Sequence, residues 1–367
     1  MKRLINIILI FLAISSLFAS ALYLRSSFAQ EQLKQASFYE KLKDLVVQCN
    51  LCPRRCVILP GKRGYCGVRE NSEGTLYSLS YGKLVAVHID PIEKKPLFHF
   101  LPSTTAFSIA TAGCNLRCKF CQNWEISQAK PEDIKYTYLD PQELIEKVIA
   151  SGCPTIAYTY TEPTIFYEYM LEIAKLAKEH GIRNVMHSNG YINEEPLREL
   201  AKYLDAANID LKGFNDEYYG KLTEGKVSPV LNSLKVLKQE GVHLEITNLI
   251  LYGYNDDEDS IIKLCSWIKE NLGDDTPIHF SRAFPMYKLL SIASTPVETL
   301  ERARKIAQDL GLKYVFVGNV GGHSAEDTFC PKCGKILIER KGYFILENNI
   351  EGGRCKFCSE EIAGVWE

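Results

Sequence analysis

Eleven of the 13 cysteines in this 367-residue chain gather in three clusters, and any fold must bring each cluster to a point. They are Cys49, Cys52, Cys56 and Cys66; Cys114, Cys118 and Cys121; and Cys330, Cys333, Cys355 and Cys358. Disulfide frameworks serve small secreted domains that lack a core. Here the hydrophobic fraction is 46%, enough for a packed interior. Close C-x2-C pairs suit a metal instead, because one tight turn aims both sulfurs at one ion. Cys153 and Cys265 stand alone and read as small core residues.

Between the second and third clusters, strand-like and helix-like runs alternate. "AFSIATAG", "TIAYTY", "RNVMHSN", "AANIDLK", "HLEITNLIL", "PIHFSRA" and "KYVFVG" read as strands. "PQELIEKVIASG", "TIFYEYMLEIAKLAKEHG", "EEPLRELAKYL", "VSPVLNSLKVLKQEG", "DSIIKLCSWIKENLG" and "VETLERARKIAQDLG" read as helices. Asp140-Pro141 makes an N-cap and N1 pair for the first helix, and Gly181 stops the second. The alternation predicts an α/β fold with a parallel sheet and helical crossovers. Six repeats and a closing strand predict a partial, open (β/α)6-type barrel, with a doubly wound sheet as the alternative.

Four regions follow: a signal-like or anchor-like segment at 1–30, a Cys-rich N-terminal module at 31–105, the barrel at 106–322 and a small module at 323–367. Residues 31–48 predict an amphipathic helix, and 75–105 short strands and turns. In the last module two C-x2-C knuckles, 21 residues apart, flank β-like runs around "RKGY", a zinc-ribbon-like pattern. Cys330, Cys333, Cys355 and Cys358 would hold zinc, or iron as in rubredoxin.

Three ligands are one short of a closed four-coordinate site. The central C-x3-C-x2-C triad, just past a buried strand, suits three irons of a [4Fe–4S] cluster with the fourth iron open. Zinc with three cysteines and water is the alternative. The four N-terminal thiols close a site by themselves, for zinc or an auxiliary Fe–S cluster.

"CNLRCKFC" on the first strand of such a barrel resembles the signature of the radical S-adenosylmethionine (SAM) superfamily. The resemblance implies that the open iron binds the amino and carboxylate groups of SAM. It also implies reductive cleavage to a 5′-deoxyadenosyl radical that abstracts hydrogen from substrate. "YTYTEPT" sits where the family has a Gly-Gly-Glu-type motif, so Glu162 would accept from the methionine ammonium, with Thr161 in place of a glycine. "DLK" is similar to a cofactor-contacting motif of pyruvate formate-lyase activating enzymes, which implies SAM contacts for Asp210 and Lys212. These two share a face, two apart on a strand. "HSNG" (187–190) ends the strand before it. His279 in "PIHFSRAFP" resembles a final-strand histidine that approaches the cofactor.

From about residue 40 onward, "CNLCPRRC", "GYCGVR", "AGCNLRCKFCQNWEIS", "NIDLKGF", "SRAFPMYKL" and "CPKCGKILIER" resemble the AmmeMemoRadiSam system radical SAM enzymes. That resemblance implies AMMECR-type and Memo-type proteins as partners. It also implies an electron donor such as flavodoxin or ferredoxin; a protein substrate, as for activases, a small molecule and a modified RNA stay open, and the sequence does not choose among them. The formal charge of −2 offers no basic field, so there is no nucleic-acid signature.

The N-terminus begins with Lys2-Arg3 and runs uncharged from Leu4 to Leu24, as a signal peptide or membrane anchor does. Oxygen-labile chemistry argues for the cytoplasm, with or without a membrane tether; export and an upstream start codon are the other readings. Two rival classes remain at this point. A non-catalytic metal scaffold would bind zinc at all three clusters. An Fe–S electron-transfer protein would be redox-active and indifferent to SAM.

Overall fold

Every apolar run read as a strand between 105 and 318 enters one sheet. The computed structural model describes residues 33–367, so the segment 1–30 lies outside the described residues. Among the described residues no helix is long and apolar enough to cross a membrane. The sheet holds β1 Lys83–Pro91, β2 Thr105–Thr111, β3 Thr137–Tyr138, β4 Thr155–Tyr158, β5 Arg183–Ser188, β6 Ala206–Asp210, β7 His243–Ile250, β8 Ile278–Arg282 and β9 Val315–Gly318. Its nine strands run in the order β9-β8-β7-β6-β5-β4-β2-β1-β3. From β2 to β9 all neighbours pair in parallel. β1 lies antiparallel to β2, and β3 antiparallel to β1.

Among the described residues the helices of eight residues or more are α1 Pro141–Ser151, α2 Tyr167–Glu179, α3 Glu194–Ala201, α4 Asp216–Thr223, α5 Val227–Gln239, α6 Glu258–Leu272 and α7 Val297–Asp309. The parallel order never reverses, which excludes the doubly wound alternative. Right-handed crossovers in an unreversed order put the helices on one face. Accordingly α1 packs on α2, α3 on α5, α5 on α6 and α6 on α7. The expected start of α1 is explicit. Asp140 accepts from the Glu143 N–H at 2.9 Å, and Glu143 accepts from the Asp140 N–H at 3.2 Å. Such a capping box is worth about 1 kcal/mol.

The opposite face carries polar side chains, and its lower end is covered by the segment 92–104. Asn208 donates to the Pro96 carbonyl at 2.7 Å, and the His99 N–H donates to Glu245 at 2.7 Å. The C-terminal module closes over that segment. Arg340, 5% exposed, donates to the Phe98 carbonyl at 2.8 Å. Leu101 N–H donates to the Val365 carbonyl at 2.7 Å. The module holds the antiparallel strands expected around "RKGY", Ile336–Lys341 and Phe344–Asn348.

Two expectations upstream are corrected. The predicted helix over 31–48 is a hairpin, Tyr39–Lys41 against Val47–Cys49. Asp44 and Leu45 both take left-handed φ, 57° and 60°, and the Val46 N–H donates to the Lys43 carbonyl at 3.1 Å. That turn reverses the chain with the twist hairpins require, and fully buried Val47 is drawn into the core. The stretch read as short strands includes β1, nine residues long and part of the main sheet.

Candidate active site and metal centres

The central cysteine loop leaves the C-terminal end of β2, where α/β folds place their chemistry. Gly113 makes the exit at φ +104°. A Cβ there would stand 2.7 Å from Val68 Cγ1 and 3.1 Å from the Cys66 carbonyl oxygen. Glycine is required, and the N-terminal cysteine module rests directly on this loop. An unforeseen helix holds the other side: Arg117 N–H and Lys119 N–H donate, each at 2.9 Å, to the Thr223 and Leu222 carbonyls at the end of α4.

Hydrogen-bond donors face the thiols. Cys114 Sγ accepts from the Leu116 N–H at 3.4 Å and from Asn189 Nδ2 at 3.7 Å. Cys121 Sγ lies 3.2 Å from Ser127 Oγ. Burial pushes the Cys118 thiol up to about 12, with the Lys212 ammonium opposing it. Burial, with the Glu162 carboxylate adding to it, holds Cys114 well above the ordinary range. Loading a metal here releases protons from thiols that are otherwise neutral. One buried thiol, Cys118, between two half-buried ones, with N–H donors at the Cys114 sulfur and no fourth thiol in the loop, fits a cluster with one open iron.

Glu162 follows β4 and is 2% exposed. Its Oε1 accepts from the Thr164 N–H at 2.9 Å, Thr164 Oγ1 at 2.7 Å and Ser188 Oγ at 2.8 Å. Its Oε2 accepts from the Asn189 N–H at 2.9 Å. A carboxylate offers about four acceptor sites, so the chain's own donors fill it. Burial raises its pKa, and those donors pull it back. Thr161, in the glycine position of the motif, donates from Oγ1 to the Thr111 carbonyl at 2.8 Å and ties β2's end to this turn.

Asp210 ends β6 and Lys212 follows two residues later. Lys212 Nζ donates to Asp210 Oδ2 at 2.7 Å, and His187 Nε2 lies 3.1 Å from Oδ1. Burial would raise the Asp210 pKa, but Lys212 and His187 hold it well below the usual carboxylate range. The Lys212 ammonium lies 5.9 Å over the Phe120 ring, inside the cysteine loop. The structure therefore brings the triad, Glu162, Asp210 and Lys212 to one mouth. Sequence reasoning missed Asn189, which touches Glu162, Cys114 and Asn115 (2.9 Å), and gave His187 no role. Their signal was "HSNG", a polar run at a strand end.

His279 is not brought there. Its Nε2 lies 2.7 Å from Glu245, and its ring packs on Phe98 and Phe316 at 4.7 and 5.0 Å. It belongs to the buried floor. The two lone cysteines are core residues as expected, Cys153 4% and Cys265 0% exposed.

The C-terminal thiols converge. Those of Cys330, Cys333, Cys355 and Cys358 all lie within 4.8 Å of one another. Two pairs stand 3.6 and 3.8 Å apart. Tetrahedral thiolates about 2.3 Å from one ion stand about 3.8 Å apart, so this set fits a single metal ion.

Comparison with known proteins agrees with this geometry. The family model of the Radical SAM superfamily matches residues 108–267, the span holding the cysteine loop, Glu162, His187, Asp210 and Lys212. The uncharacterized protein MJ0808 of Methanocaldococcus jannaschii is 49% identical over 332 residues, 90% of this chain and 99% of its own length. The GTP 3′,8-cyclase of Lactiplantibacillus plantarum is 26% identical over 276 residues, 69% of this chain and 79% of that one. The pyruvate formate-lyase 1-activating enzyme of Escherichia coli K12 is 24% identical over 227 residues, 56% of this chain and 89% of that one. The cysteine loop past the first parallel strand and the polar strand ends around it thus lie within a matched sequence family, and this chain is an enzyme of the radical SAM superfamily.

Proposed function

We propose that this enzyme cleaves SAM reductively, with Cys114, Cys118 and Cys121 holding a [4Fe–4S] cluster, and abstracts hydrogen from a protein partner as an activase does. The observation that carries the reading is the three-thiol loop sharing one mouth with the Asp210–Lys212 pair. When bound, the cluster supplies the electron that splits SAM into methionine and a 5′-deoxyadenosyl radical. The chain's own part is positioning. Asp210, kept ionised by Lys212 and His187, presents an acceptor for the cofactor's ribose or ammonium, and Lys212 a cation for its carboxylate. Glu162 fixes Ser188 and Asn189, and Asn189 reaches Cys114. The buried walls around the triad keep water from a reactive intermediate.

The 49% identical relative spans more than the barrel, which supports treating both cysteine modules as parts of one enzyme. The motif resemblance is what supports our assignment to the AmmeMemoRadiSam system, with AMMECR-type and Memo-type partners and flavodoxin or ferredoxin as donor. The contracted C-terminal thiols favour structural zinc in a ribbon-like module.

The test is anaerobic. The protein lacking residues 1–30 is reconstituted with iron and sulfide, then given dithionite and SAM. 5′-Deoxyadenosine is expected from the parent and not from Cys118→Ala. No product from a parent that carries its iron would overturn the proposal.

A further inference from the structure

The N-terminal cysteines behave unlike the C-terminal ones. Among the described residues, the C-terminal four are the set whose ligand atoms contract to within 4.8 Å of one another. Cys49, Cys52, Cys56 and Cys66 instead ring a small cavity with a narrow opening. The central triad, whose sulfurs serve separate irons in the reading above, is likewise outside the contracted set. Thiolates sharing one ion must crowd to about 3.8 Å; thiolates on separate irons of a cluster stand further apart.

The chain builds this cavity deliberately. Cys49 ends a hairpin strand, and its N–H donates to the Cys56 carbonyl at 2.9 Å, closing the first three cysteines into one knuckle. A Cβ on Gly64 would meet Ile58 Cδ1 at 3.2 Å, a tight contact, and Cys56 Sγ at an ordinary 3.7 Å. The Tyr65 N–H donates to Cys56 Sγ at 3.4 Å, and Arg69 Nη1 to Cys49 Sγ at 3.5 Å. Arg54 and Arg69 both line the cavity. Arg54 Nη2 and Arg69 Nε are buried and hydrogen-bond to no described group. Arg69 already pairs with the buried Glu168 carboxylate, so its Nε offers a further donor only, while Arg54 Nη2 offers a guanidinium donor to a group that carries net negative charge. Asn115, Thr164 and Ile165 complete the lining. Asn115 adjoins Cys114 and takes the Arg54 Nε–H at 2.9 Å, so this cavity and the central loop share a wall.

We infer that Cys49, Cys52, Cys56 and Cys66 hold a second iron–sulfur cluster of the [4Fe–4S] class, fully ligated by protein. Zinc is assigned to the C-terminal set alone. The inference does not depend on SAM cleavage, because its readout is metal content.

The full chain is reconstituted anaerobically with iron and sulfide, and iron, sulfide and zinc are counted. About eight iron and eight sulfide per chain are expected, with about one zinc. A variant carrying Cys114→Ala, Cys118→Ala and Cys121→Ala should keep about four iron and four sulfide. It should also keep the paramagnetic signal of a reduced cluster on dithionite. Adding Cys52→Ala and Cys56→Ala should abolish both. About four iron in the parent with two zinc, or iron without matching sulfide, overturns the inference whatever the variants do. If the parent holds eight iron but makes no 5′-deoxyadenosine, the functional proposal fails and this one stands.

Discussion

Gly113→Ala tests how the two cysteine regions are joined. The substitution adds one methyl group at φ +104°, outside the range L residues favour, a strain of about 1–2 kcal/mol. The new Cβ meets Val68 Cγ1 at 2.7 Å. Val68 is fully buried and cannot swing aside, so forced repacking costs about 1–3 kcal/mol more. The sum is about 2–5 kcal/mol, within the stability of an ordinary domain, so the variant should fold. Urea denaturation should show that loss. Anaerobic reconstitution should show reduced iron, because the Cys66 segment and the Cys114 loop can no longer both keep their places. Val68→Ala should be destabilising by itself yet relieve part of the Gly113→Ala cost, giving a coupling of about 1–2 kcal/mol. Two additive effects, or a Gly113→Ala protein as stable as the parent, would refute the contact.

Three further outcomes follow from the floor and the C-terminal module. Glu245, wholly buried, accepts the His99 N–H and lies against His243 and His279 (3.1 and 2.7 Å). Glu245→Gln should cost about 3–5 kcal/mol in urea melts, since it leaves buried donors facing an amide; a loss under 1 kcal/mol would contradict the network. Burial holds His99 down at about 3 against an ordinary 6.5, facing Glu245, His243, Arg340 and Tyr314. Below pH 6.5 the unfolded chain binds a proton that the folded one refuses, so stability falls with pH by up to about 1.4 kcal/mol per unit. His99→Gln should flatten the urea midpoint between pH 7.5 and 5.5, and parallel slopes would dismiss that cause. Cys355→Ala should lose one zinc per chain and expose the tail to limited proteolysis while the barrel's iron is retained; unchanged zinc would deny the site.

The parallel strands of the main sheet could be read from the chain because each is a short apolar run bounded by turn residues. The Asp140 cap is equally local, since its partner is three residues away. The hairpin at 39–49 misled because its residues also carry a helical period. The left-handed pair Asp44–Leu45 leaves no glycine to announce the turn. α4 was missed although Asn215 caps it at 2.7 Å from the Tyr218 N–H, because Gly220 and the adjacent Tyr218–Tyr219 pair blur its period, which the equally short α3 keeps.

The sequence alone determined the alternation of the parallel strands with most of their helices, the three cysteine clusters and the resemblance of the central one, because these rest on neighbours within a few residues. Tertiary structure decided what each ionisable group faces. Glu162 meets donors 26 and 27 residues away, at Ser188 and Asn189. His279 was drawn to Glu245, 34 residues distant, and away from the cysteine loop. It also decided that one set of four thiols contracts while another rings a cavity. Cysteine spacing limits which sulfurs can meet, but the separation they keep is set by what packs between them: Arg69, Asn115 and Thr164 come from three distant parts of the chain.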